Sequence, residues 1–214
     1  MSSDAVPDAV SGGTTPAGTD GRAARRQRNL EAVLDAVHEL FVEGDIEPSP
    51  EDVARRSGVS LRSVYRYFPD REQLLLAALQ RRLVVAEPLF VLEGAGEGGP
   101  EERIAAFLDH RMLLYGAIAP TARVALLAAR QLPVIAAVVH HRRSQLHALV
   151  WQQFAPELDR LGPERAEAVA AAIDTVCQFE PLEALRRERG LSEESTREVL
   201  ATMLRALLEP AGMA

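Results

Sequence analysis

Apolar positions recur with helical spacing along most of this chain. Leu30, Val33, Leu34, Val37, Leu40 and Phe41 fall three and four residues apart, which predicts an amphipathic helix over about residues 22–42. Glu43-Gly44-Asp45 ends it, and Ile46 is expected to turn back into the core. Ser49, Pro50 and Glu51-Asp52 supply an N-cap, a first-turn proline and first-turn acids, so a second helix starts there and stops at Ser57-Gly58. Ser60 opens a third, its hydroxyl able to accept from the free N–H groups of the first turn. Leu61, Val64 and Phe68 form that helix's single apolar stripe, and Pro69 stops it. Asp70 caps a fourth helix reaching about Glu87.

Beyond a glycine-rich loop at Glu93–Pro100, helices are predicted at about 100–117, 120–130, 133–154 and 163–189. Each opens with a proline, where the missing N–H does no harm. Gly190 closes the last of these and Ser192 caps a ninth helix to about Leu208. No convincing strand and no internal repeat is present, so the fold class is all-α with about nine helices. Residues 1–21 are rich in Ser, Gly, Thr, Pro and Asp without periodicity and read as a disordered tail.

The two short helices of residues 49–68 suggest a chemistry. Advancing 100° per residue from Val64 puts Arg62 and Arg66 opposite the apolar stripe, with Ser63 and Tyr67 on one flank and Tyr65 on the other. A short helix anchored on one side, with arginines outward, suits a DNA major groove. Arg62, Ser63 and Arg66 are the candidates for base contact, because arginine bonds guanine O6 and N7 in bidentate fashion. Arg25, Arg26, Ser49, Ser60, Tyr65, Tyr67 and Arg71 are the candidates for phosphate contact. The basic opening Arg22–Arg28 opposes its own helix dipole, so local stability does not account for it, whereas phosphates would.

Composition narrows the picture. The chain has 214 residues, 47% hydrophobic and 26% charged, enough apolar mass for a proper core. All 24 basic residues are arginine, and net charge is −7. The charge is uneven: residues 22–82 hold 11 arginines against 10 acids, and the remainder holds 13 against 21. A near-neutral portion beside an acidic remainder limits non-specific DNA binding while leaving a local basic surface. The single cysteine, Cys177, excludes an internal disulfide framework and any multi-cysteine zinc site, and it reads as an inert buried thiol. No run of eighteen apolar residues and no signal pattern is seen, so a cytoplasmic protein without a membrane partner is expected.

Residues Arg28 to Leu79 resemble the DNA-binding domain of the TetR (tetracycline-repressor-like) family of bacterial transcription regulators. The resemblance rests on Val53-Ala54, on SGVS at 57–60 and on VYRYFPDREQLL at 64–75. Arg71 stands where lysine is usual and keeps the charge, while the linker carries an extra proline and Ser49 stands where threonine is more usual. The resemblance implies a homodimer. Each subunit would have a helix-turn-helix domain at 22–82, with its motif at 49–68, and a helical regulatory and dimerisation domain at 83–214. A four-helix bundle of the last two long helices would join the subunits, with Ala172, Ile173, Val176, Phe179, Val199, Leu200, Met203, Leu204 and Leu207 at the interface.

A ligand pocket is expected between the middle helices. Phe107, Arg111, Met112, Tyr115, Leu126, Arg130, His147, Trp151 and Phe154 are the candidate lining, although most such residues at helical spacing form plain core. An ion pair to Asp109 or a glutamate is the simpler role for Arg111 and Arg130. His140 and His147 share a helix face but stand two turns apart, about 10.5 Å by helical rise, so no metal and no cofactor is expected. No phosphate loop, nucleophile motif or His–carboxylate spacing points to an enzyme. The expected function is a sequence-specific regulator, a dimeric repressor released from a near-palindromic double-stranded DNA operator by an unknown small-molecule effector. The alternative is a helical interaction module or small helical enzyme whose DNA-binding domain is vestigial.

Overall fold

The computed structural model describes residues 17–209, of which ten α-helices are the regular elements and none is a strand. The expected disordered tail falls largely outside the described residues. α1 (Ala17–Glu43) starts earlier than the apolar stripe alone predicts and ends at Gly44, whose φ of 95° is left-handed. α2 (Pro50–Ser57) is capped by Ser49, whose hydroxyl accepts from the Asp52 N–H at 3.1 Å. Gly58 closes α2 at φ 68°, the left-handed turn that aims the chain into α3 (Leu61–Tyr67). α4 (Arg71–Ala86) is capped by Asp70, which accepts from the Gln73 N–H at 2.7 Å. A 3-10 turn at Glu87–Phe90 follows.

Val33, Val37 and Phe41 of α1, Val53 of α2, Val64 of α3 and Leu74, Ala78 and Leu79 of α4 make one buried cluster. That cluster also contains Val124 and Ile135, which belong to the next two helices. α1 to α4 therefore share their core with the rest of the chain, and α4 runs unbroken through the expected boundary at residues 82–83. Ile46 departs from expectation: it is 43% exposed and lines a shallow cavity with Leu75, Leu127 and Leu132.

α5 (Pro100–Ala128) is one helix where two were predicted. Pro120 removes an N–H and crowds the Gly116 carbonyl, yet buried Ala119, Thr121 and Val124 hold the segment in place and packing wins. By length and composition α5 could cross a membrane, but its buried face carries Arg103 and Arg111 and packs against α4 and its other neighbours. α6 (Pro133–Gln153) crosses it, and a single turn, α7 (Ala155–Leu158), follows.

The predicted helix at 163–189 is broken. α8 (Pro163–Val176) ends at Cys177, Gln178 is extended, and α9 (Phe179–Glu183) restarts before a π-helical turn at Ala184–Glu188. Pro181 has no N–H to give the Cys177 carbonyl, and here the helix breaks at that point. α10 (Glu193–Leu208) is capped as expected, with Ser192 accepting from the Ser195 N–H at 3.0 Å. A second core joins α5 to α8 and α10 through Ile104, Phe107, Leu108, Phe154, Ile173, Leu200 and Leu204. A buried pair of Arg103 with Glu157 ties α5 to α7 beneath the glycine-rich loop, where Arg103 also donates to the Gly98 carbonyl.

Candidate nucleic-acid interface and regulatory cavity

α3 lies on the domain by Val64, 1% exposed, and by Phe68 just beyond its end. The opposite side holds Arg62, Tyr65 and Arg66, all exposed, with Tyr65 at 44%. Arg62 makes no ion pair among the described residues, and Arg66 bonds only to neutral oxygens: the Tyr67 hydroxyl at 3.2 Å and the Ser63 hydroxyl at 3.5 Å. The arginines of α2 differ. Arg55 pairs with Asp52, and Arg56 pairs with Glu43 and Glu39, so their charge is already answered inside the protein. Of the two short helices, α3 is thus the one whose positive charge is uncompensated.

Tyr67 is half-buried and its hydroxyl accepts from Asn29 Nδ2 at 3.4 Å, tying α3 to α1. That bond lowers the phenol pKa first, with Arg66 and the more distant Arg26 adding to it. Tyr67 thus ties α1 to α3, a role that sequence spacing did not suggest because Asn29 lies on another helix. Arg25 and Arg26 are exposed along the start of α1 and make no ion pair among the described residues. Arg71 is exposed at the start of α4 and held 3.5 Å from Glu47, a bond that a phosphate would have to displace.

Two serines divide. Ser49 is spent on capping α2 and on donating to Asp52, which leaves it less free for a phosphate than expected. Ser60 does not cap α3; its hydroxyl bonds the Ser63 hydroxyl at 3.0 Å instead. The competing acceptor one turn on is the reason.

Beyond α4 most of the expected pocket residues are engaged elsewhere. Phe107, Met112 and Phe154 are core, the two rings in edge contact at 5.2 Å. Tyr115 donates to Glu183 at 2.7 Å beside Arg123, and Trp151 donates to His147 Nε2 at 3.2 Å. Arg111 is 2% exposed, lies 4.6 Å from the Phe107 ring centre and donates to the Leu146 carbonyl at 3.0 Å. Burial pushes its pKa down. The expected partner Asp109 pairs with Arg197 at 2.8 Å. Arg130 is exposed on the shallow cavity that holds Ile46, Glu47 and Arg71. Among the described residues no group of three or more His, Cys, Asp or Glu could hold a metal. Cys177 is buried, and burial pushes its pKa up to about 12, so its thiolate is not available at neutral pH.

Of the nine expected lining residues only Leu126 reaches the apolar cavity of the described residues, about 150 Å³ in volume. It lies between α4, α5 and α6, with Leu79, Leu83, Ala86, Phe90, Ile118, Thr121, Ala125, Ile135, Val139 and Leu146 among its walls. Leu79 and Ile135 also belong to the core of α1 to α4, so the same side chains line the cavity and pack toward α3.

The expected dimer residues also need correction. Ile173, Leu200 and Leu204 are 0% exposed inside the protomer's own core. Ala172, Val176, Phe179, Val199 and Leu207 are half-buried and Met203 is 42% exposed, so only these retain surface to offer. The exposed positions of the same two helices include Ala168, Ala171 and Thr175 on α8, and Thr202, Met203 and Ala206 on α10, beside charged residues such as Glu167 and Arg205.

Residues 33–78, from the middle of α1 into α4, match the bacterial regulatory proteins of the tetR family. This segment is similar to the tetR family. The fold of the whole chain agrees. A transcriptional regulator (TerR/AcrR family) from Aquifex aeolicus VF5 superposes with a TM-score of 0.58 at 17% identity, covering 84% of this chain and 99% of that one. A TetR-like transcriptional regulator from Rhodococcus sp. RHA1 gives 0.58 at 19% identity, with 88% and 98% covered. The multidrug binding protein EbrR, complexed with imidazole, gives 0.51 at 23% identity, with 98% and 100% covered. No protein of curated function matches the sequence. The chain shares the fold of these proteins, and its match to the tetR family is confined to residues 33–78.

Proposed function

We propose that the protein is a dimeric repressor that leaves a near-palindromic operator when a small molecule fills the cavity between α4, α5 and α6. The observation that carries this reading is the cavity's place: its walls include α4, the helix that follows α3 and shares its core. A ligand that prefers one setting of α4 shifts the population of dimer geometries, and only the difference in its affinity for the two settings does that work. A small-molecule effector is consistent with EbrR, a protein of similar fold that was solved with imidazole. The cytoplasm is the proposed place of work.

On DNA, Arg62, Ser63 and Arg66 read bases, and Arg25, Arg26, Ser60, Tyr65, Tyr67 and Arg71 grip phosphates, with Ser49 holding α2 in register. In the dimer, α8 and α10 meet their copies through Ala168, Ala171, Met203 and Ala206, with Val176, Val199 and Leu207 at the edges. A two-fold axis there would place two α3 helices on successive major grooves, about 34–36 Å apart.

The test is selection of genomic fragments bound by the purified chain, followed by gel shifts and sedimentation. A recovered inverted repeat bound by a dimer supports the reading. Recovery of no preferred sequence, or sequence-specific binding by a monomer alone, overturns it.

A further inference from the structure

We infer that the α4–α5–α6 cavity takes a small amphiphilic carboxylate, its apolar body among the aliphatic walls and its carboxylate against Arg82. The inference rests on reading this cavity as the effector site and adds the class of ligand.

The walls contain no Asp or Glu, while three arginines, Arg82, Arg142 and Arg143, line the cavity. Arg142 and Arg143 are already engaged. Arg142 pairs with Glu87, bonds Gln145 and lies over the Phe90 ring at 4.6 Å, and Arg143 pairs with Glu180. Arg82 is half-buried and has no ion-pair partner among the described residues. Its charge, after burial, opposes protonation of His38 of α1. A half-buried cation without a counter-ion at the edge of an apolar cavity favours an anion and penalises a cation.

Thr121 supplies a second, independent sign. Thr175, Thr196 and Thr202 each return their hydroxyl to the carbonyl four residues back, at 2.7, 2.8 and 2.9 Å. The Thr121 hydroxyl makes no such bond and has no partner, although the residue is 6% exposed and lines the cavity. The cavity is mostly apolar, so a water beside this hydroxyl would find few of the two to four polar partners it needs. An acceptor oxygen on a ligand would satisfy it. A dry cavity of this volume accommodates a body of about benzene's size.

Three matched probes separate the classes: 3-phenylpropanoate, 3-phenylpropan-1-ol and 3-phenylpropylammonium, titrated calorimetrically into the full-length protein. The carboxylate should bind about tenfold or more tightly than the alcohol, the difference a charge-assisted hydrogen bond makes, and the ammonium should bind weakest. Arg82→Gln should erase the preference for carboxylate over alcohol and leave the alcohol unchanged. Thr121→Val, nearly the same shape, should weaken the carboxylate and leave the ammonium unimproved. Ammonium binding equal to or tighter than carboxylate overturns the inference, as does a preference that survives Arg82→Gln. Capture of a specific operator with none of the three probes binding also refutes this ligand class but leaves the regulator standing. Carboxylate binding in a protein that selects no DNA does the reverse.

Discussion

Arg62 bears most directly on DNA reading, because it is exposed, unpaired and on the outward side of α3. Arg62→Ala should weaken binding to the selected operator by about 1–3 kcal/mol and relax preference at one base position. Gel shifts on single-base variants measure both, and an unchanged base preference would remove Arg62 from the reading set. His38 yields a second expectation. Burial, then Arg82, lowers its pKa, and burial, then Arg111, lowers that of His110. Folding therefore favours both neutral. Their contribution is complete above the unfolded value of about 6.5 and is lost as pH falls through that value toward the folded pKa values, because the unfolded chain then binds more protons. The melting temperature should drop between pH 7.5 and 5.5, less steeply in His38→Gln, and equal slopes in the two proteins would exclude His38. Such roles escape a sequence reading. Ser49 and Asp70 were legible because a cap and its partner lie three residues apart, and Gly58 because a left-handed helix end favours glycine. The settings of Asn29, Arg82 and Thr121 depend on residues far along the chain.

At the scale of elements, prolines mark both the successes and the errors. Pro50, Pro100, Pro133 and Pro163 open helices as expected. Pro120 and Pro181 follow the same local rule and end oppositely: α5 passes through the first, while the helix ladder fails at the second. Local chemistry is the same at both, so packing decides, and apolar periodicity does not say how tightly a turn is held. Periodicity likewise located helix faces without saying which of them meets core, cavity or a second subunit. Ile173, Leu200 and Leu204 therefore read as interface and prove to be core. Continuity of α5 through Pro120 has an energetic consequence. Pro120→Ala would restore an N–H for the Gly116 carbonyl and remove the ring's crowding, so it should stabilise the protein by about 1–3 kcal/mol. Urea denaturation followed by circular dichroism measures it. A destabilised variant would mean that the proline ring itself fills space the packing needs.

Across the whole molecule, the acidic net charge of −7 and the sparse positive surface set how DNA binding responds to salt. Each phosphate neutralised by a cation releases counter-ions, and log K falls against log salt by about 0.9 per contact. Arg25, Arg26 and Arg71 are the proposed phosphate cations, which makes six contacts in a dimer and a slope of about −5. Arg55 and Arg56 point to the same region of sequence but are neutralised by Asp52, Glu43 and Glu39, and they should contribute nothing to the slope. The double variant Arg25→Ala/Arg26→Ala removes four contacts from the dimer and should flatten the slope by about 4 units, with base preference intact. Arg55→Ala should leave it unchanged. Fluorescence anisotropy on the selected operator from 50 to 300 mM salt, values chosen to span roughly a sixfold range around physiological strength, reads the slope directly. A flat wild-type response would mean that the acidic remainder of the chain cancels the grip of α1. A slope that Arg25 and Arg26 do not change would move the phosphate contacts to the exposed start of α4, where Arg71 must first leave Glu47.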